Sequence, residues 1–243
     1  MSSPPNLPLF IREAMIDWDE IAPDSYILDI PAISGLSKIG FQKPITLLAG
    51  DNGTGKSTLL EALAVAAGFN PEGGTRNYAF STYDSHSELC NAIRLVREAR
   101  LPKWGYFLRA ESFYNVATQE GEYSRGPGGV PEHFHEQSHG ESFFRIAESQ
   151  LTGNGLYFLD EPEAALSPQR QLALLRIICL CAKKGAQFFI VTHSPILLGM
   201  PFSEILVFDD LGIHESAYEE TESYQVMSLF MNQRERLLEK ILG

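Results

Sequence analysis

Cysteine, positive charge and long apolar runs are all scarce in this chain of 243 residues. Its 3 cysteines, Cys90, Cys179 and Cys181, form no Cys-x-x-Cys pair and no even-numbered framework. A disulfide scaffold is therefore excluded, and a reducing cytoplasm is the expected compartment. Cys179 and Cys181 sit inside an apolar run and read as buried structural thiols. Lys and Arg total 19 against 31 Asp and Glu, a formal charge of −12. So acidic a surface does not coat nucleic acid non-specifically, and any nucleic-acid contact needs a local basic patch. No run of about 18 apolar residues occurs, so direct membrane insertion is not expected. The opening "MSSPPNLPLF" has proline but no basic region leading into an apolar core, and predicts no signal peptide. Internal repeats, low-complexity tracts and heptads are also missing, so the chain carries no coiled-coil arm.

What is present is core. Hydrophobic residues make up 44% of the chain, enough for one large domain over 1–243. Short apolar runs stopped by glycine or acid, "ITLLAG" (45–50), "GLYFLD" (155–160), "QFFIVT" (187–192) and "EILVFDD" (204–210), read as buried strands. "WGYFLRA" (104–110) and the β-branched "SYILDIPAI" (25–33) read as strands too, and "IHES" (213–216) as a hairpin partner around Gly212. Helices are expected over 57–68, 87–100, 141–151, 168–184 and the amphipathic C-terminal stretch. Segments 69–84 and 118–140 read as loop. Strands alternating with helices predict an α/β fold with a mainly parallel sheet.

"GDNGTGKST" (50–58) fits G-x-x-x-x-G-K-[ST], after a predicted strand and at the start of a predicted helix. Such a loop lets successive backbone N–H groups close around a phosphate, helped by the positive end of the helix. Asp51, Asn52, Gly53, Thr54 and Gly55 would form the turn, and Lys56 would reach the β- and γ-phosphates. Ser57 would hold Mg²⁺ and Thr58 would help hold the phosphates. Asp160 and Glu161 end the strand 155–160, where ligands bind in an open parallel sheet. Asp160 is the candidate for the metal shell, and Glu161 for polarising an attacking water. His193, at the end of the next apolar strand, can donate to a γ-phosphate or to that water.

Together these residues resemble the ABC class of P-loop, AAA-type ATPases. The nearest likeness is to its soluble branch of chromosome-organising, recombination and repair ATPases and the related overcoming-lysogenization-defect nucleases. "GDNGTGKST", "SHGES", "LYFLDEPEAALSP" and "IVTHSP" occur in the family order over residues 50–195. The resemblance implies an ABC-ATPase-like sandwich with an antiparallel N-terminal β portion, and a helical, signature-bearing part at roughly 85–152. It makes "SHGES" the signature, so that Ser138, His139, Gly140 and Glu141 cap ATP held by a second copy. Two protomers would then enclose two ATP molecules head to tail, forming a homodimer on ATP binding. His139 departs from the commoner glycine, and Ser167 from the histidine of many soluble members. At the expected Q-loop, "YFLRAESF" (106–113) carries Glu111 instead of glutamine; Glu111 could touch Mg²⁺ through water or Arg109 could face a phosphate, against an equal reading as a plain charged strand end. Arg76 or Tyr78 in "GGTRNYAF" could approach the nucleotide, against a plain reading as surface loop.

The expected activity is Mg-dependent ATP hydrolysis that drives a conformational switch in an unknown protein partner. Three alternatives compete. A transporter's nucleotide-binding subunit more often shows a SALD-like sequence where this chain has "EAALSP". A small-molecule kinase leaves Glu161, His193 and "SHGES" unexplained together. A DNA-repair role rests on the resemblance alone and is opposed by the −12 charge, and no additional acidic cluster marks a nuclease centre. His133, His135 and His139 lack the ligand pattern of a metal site.

Overall fold

The computed structural model describes residues 8–75, 87–109, 148–164 and 166–243. The apolar runs pair as parallel strands at the centre of the molecule. A seven-stranded sheet is built from β3 (Ile45–Gly50), β4 (Gly74–Thr75), β6 (Trp104–Leu108), β7 (Gly155–Asp160), β8 (Gln187–Val191), β9 (Ser203–Asp209) and β10 (Gly212–Glu215). Their order is β10-β9-β3-β8-β7-β6-β4. The five central strands run parallel, while β10 and β4 add antiparallel edges. Period-two alternation divides the side chains between two cores. Leu48, Phe158 and Phe189 face a cluster with the helix Lys56–Ala66, whereas Leu47, Tyr157 and Phe188 face one with the helix Pro168–Lys183. Both faces are covered, which is why these strands read as continuous apolar runs instead of alternating ones.

Beside it lies a three-stranded antiparallel sheet of β1 (Ile11–Ile16), β2 (Lys38–Gly40) and β5 (Ile93–Arg97), in the order β2-β1-β5. The α/β class, the mainly parallel sheet and the antiparallel N-terminal portion thus stand as expected. Among the described residues, no helix is long and apolar enough to cross a membrane.

Two local readings need correction. Residues 25–33 do not form a strand: Tyr26–Asp29 is a 3-10 turn and Pro31–Ser34 a short helix. Pro31 has the fixed φ of a first helical residue and cannot donate to a ladder, which outweighs the β-branched content. Nor do residues 87–100 form one long helix. Only Leu89–Ala92 is helical, and Ile93–Arg97 is a strand paired with β1. The helical pattern there loses to tertiary pairing, since Ile93 is buried in the core and pairs with Ile16 of β1.

Gln187 bolts the small sheet to the large one. At 1% exposure it accepts from the N–H groups of Phe10 and Ile11, each at 2.9 Å, and donates to the Ile11 carbonyl at 2.8 Å. Gln187→Leu keeps the bulk but orphans three backbone groups. We expect it to cost about 3 kcal/mol in denaturant unfolding, with the m-value unchanged.

Candidate functional site

The phosphate loop takes its shape from two glycines. Gly50 ends β3 with φ 131°, and a Cβ there would collide with the Phe208 carbonyl on β9. Gly55 has φ 92°, and its Cβ would fall 2.7 Å from Ile33 Cδ1 and 2.8 Å from Ile30 Cγ2. The segment 26–34 is thus the floor on which the loop closes, a role invisible while it reads as a strand. Lys56, 5% exposed, opens the following helix. Its Nζ donates to the Asp51 carbonyl and lies 3.5 Å from Thr54 Oγ1, while Thr54 Oγ1 donates to the Asp51 carbonyl at 2.8 Å. Burial pushes the Lys56 ammonium below the ordinary lysine range, and the carboxylates of Glu161, Asp51 and Asp160 oppose this.

Ser57 Oγ donates to Asp160 Oδ1 at 2.9 Å. This joins the first turn of the helix to the end of β7, two strands away in the sheet order. A hydroxyl and a carboxylate oxygen are hard donors of the kind Mg²⁺ takes alongside phosphate oxygens and water. Among the described residues, no group of three or more His, Cys, Asp or Glu could hold a metal by itself. The Ser57–Asp160 pair fits a metal whose other ligands come from a phosphate and water.

Glu161 has φ 45°, an uncommon conformation for a side-chain-bearing residue, held by its N–H donating to the Val191 carbonyl at 3.0 Å. Its Oε1 lies 3.7 Å from His193 Nε2, and both side chains are partly exposed. Three successive strand ends, of β3, β7 and β8, thus bring Lys56, Ser57, Asp160, Glu161 and His193 together.

Arg109 forms a 2.8 Å ion pair with Glu61 and donates to the Pro71 carbonyl at 3.0 Å. Glu111, Ser138, His139, Gly140 and Glu141, together with Arg76, Tyr78, His133 and His135, lie outside the described residues. Sequence reasoning missed Glu163, which accepts from Thr192 Oγ1 and from the His193 and Ser194 N–H groups. The third acid of "DEPE" and the hydroxyls flanking His193 in "THS" were the available signals.

The parallel sheet, with its G-x-x-x-x-G-K-[ST] loop between β3 and the helix Lys56–Ala66, defines a P-loop fold. Two family models match the sequence, one described as "AAA domain, putative AbiEii toxin, Type IV TA system" over residues 126–199 and one as "AAA domain" over 30–101. Both matches are to AAA-type domains, in accord with the cradle, the acid pair and the strand-end histidine. No curated protein matches the chain. Among solved structures it is similar to one titled "An inward-facing conformation of a putative metal-chelate type ABC transporter", at 19% identity over 81% of each chain, with a TM-score of 0.43. Another is the "SMC head domain from Thermotoga maritima", 13% identical over 86% of this chain and 98% of that one, with a TM-score of 0.45.

Proposed function

We propose that this chain binds and hydrolyses ATP with Mg²⁺, inside a homodimer whose two copies enclose the nucleotides and whose opening and closing works a protein partner in the cytoplasm. The observation that carries this reading is the 2.9 Å bond from Ser57 to Asp160, which ties the phosphate loop to the acid pair.

In this reading the loop N–H groups of 51–57 and the Lys56 ammonium hold the β- and γ-phosphates. Ser57 and Asp160 would hold Mg²⁺, which when bound would supply positive charge against the phosphate oxygens. Glu161 accepts a proton as a water oxygen bonds to the γ-phosphorus; the bond to the β–γ bridging oxygen breaks, giving ADP and phosphate. His193 donates to the γ-phosphate or orients the water. The partner's Ser138, His139, Gly140 and Glu141 cap the γ-phosphate from the opposite side, so each pocket is finished only by a second copy.

A complementation assay tests the shared pocket. Lys56→Ala lacks the grip on its own nucleotide, and Ser138→Arg spoils the cap it offers to a partner. Each alone is expected to be inactive in phosphate release. Mixed in equal amounts, they should recover up to about a quarter of the wild-type rate, because half of randomly paired dimers contain one intact pocket out of two. A mixture that stays inactive, beside a wild type whose specific rate is independent of protein concentration, overturns the trans arrangement.

A further inference from the structure

We propose that Glu163 is a positioning residue for His193, fastening the loop that carries the imidazole to the turn that carries Glu161; its catalytic consequence rests on the hydrolysis reading above. One carboxylate oxygen does this work. Glu163 Oε1 accepts from Thr192 Oγ1 at 2.7 Å, from the His193 N–H at 2.7 Å and from the Ser194 N–H at 3.2 Å. Hydrogen bonds to an ionised acceptor are stronger than those between neutral groups, and three converge here where water has little access. Thr192 is 0% and Ser194 6% exposed.

A second tie supports the first. Ser194 Oγ donates to Gln171 Oε1 at 2.7 Å, and Gln171 Nε2 donates to the Leu166 carbonyl at 3.0 Å. The same hydroxyl accepts from the Ile196 and Leu197 N–H groups. Glu163 belongs to the turn of Glu161: Ala164 N–H donates to the Glu161 carbonyl at 3.1 Å and Leu166 N–H to the Glu163 carbonyl at 2.8 Å. Glu161, Glu163, Ala164 and Leu166 are thereby framed with residues 192–194, and moving the first group moves the second. The frame leaves His193 Nε2 3.7 Å from Glu161 Oε1, too far for a hydrogen bond. Each side chain stays available to a third group between or beside them. Glu163 itself, its Oε1 turned onto the 192–194 backbone, acts through His193 rather than on the reacting atoms.

The test uses the full chain with Glu163→Ala, Glu163→Gln and His193→Ala, singly and combined. Glu163→Ala should lower kcat roughly 10- to 100-fold with KM changed by less than about threefold, as for a misplaced group in a formed pocket. Glu163→Gln should keep most of the activity, because its amide oxygen can still accept. Added to His193→Ala, Glu163→Ala should cost nothing further. Unchanged kcat in Glu163→Ala, or losses that multiply in the double variant, overturns the proposal. A nucleotide-free readout separates it from the hydrolysis reading. The His193 ring Cε1–H resonance, assigned by its loss in His193→Ala, should shift and broaden in Glu163→Ala and stay in place in Glu163→Gln. An unmoved resonance in the alanine variant overturns the positioning role even if ATP is hydrolysed. A wild type that releases no phosphate ends the hydrolysis reading, and the resonance still decides on Glu163. Should the alanine variant fail to fold, Glu163→Asp, whose shorter carboxylate cannot span the same donors, is read by the same measurements.

Discussion

Lys56→Ala is expected to lose ATP while the fold survives. The ammonium is 5% exposed, sits at the N-terminus of the helix Lys56–Ala66 and bends back over the loop toward Asp51 and Thr54. A triphosphate in the loop would give it anionic oxygens in place of a neutral carbonyl and a hydroxyl. Each charge-assisted bond removed costs about 1.5–3 kcal/mol, so losing two weakens binding by roughly 10²- to 10⁴-fold. Calorimetric titration with ATP measures this directly. Stability should move the other way. Burial holds the Lys56 pKa below the ordinary value of 10.5, so the folded state disfavours the charged form. That penalty is fully present below the folded pKa and fades as pH rises toward 10.5. The alanine variant is free of it, and its melting temperature without nucleotide should equal or exceed that of the wild type. The rise in melting temperature that ATP gives the wild type should vanish. A variant that binds ATP with wild-type affinity removes the cradle from the site.

How far the sequence could be read depended on which physical signal each element carries. "ITLLAG", "GLYFLD" and "QFFIV" are apolar on both faces because both faces are covered, and so few alternatives fit them. The phosphate loop is legible because its glycines answer local constraints, such as the left-handed φ at Gly55 and the close Phe208 carbonyl at Gly50. β1, "IREAMI", carries Arg12 and Glu13 at its own centre and declares itself only through its partners, β2 and β5. β5 lies in a sequence that suits a helix as well as a strand, and pairing decides. Glu163 hides for another reason. Two of its three donors are backbone N–H groups of a distant loop, and a main-chain donor leaves no mark on residue type. The acid pair and His193 were readable since each ends an apolar strand, so the sheet itself places them side by side.

Glu161→Gln should separate binding from turnover. The substitution keeps the side-chain length, the left-handed backbone at φ 45° is no worse for glutamine than for glutamate, and the Ser57–Asp160 pair is untouched. ATP affinity should therefore stay within a few-fold of wild type, a margin of under about 1 kcal/mol. The amide cannot take a proton from water, and loss of a positioned general base costs about 10²- to 10⁴-fold in kcat. Hydrolysis is also the exit from the closed dimer in this reading. With the exit slowed and entry unchanged, the population shifts toward the closed form, and the solution mass should rise from one chain to two on adding ATP with Mg²⁺. Wild type under the same conditions should show less dimer, because turnover keeps emptying it. The two halves of the prediction fail independently. Full phosphate release from Glu161→Gln takes the proton-accepting role away from Glu161 and leaves the shared pocket standing. Stalled hydrolysis with a mass that stays at one chain under saturating ATP keeps that role and removes the dimer, in which case the 138–141 segment caps no second nucleotide.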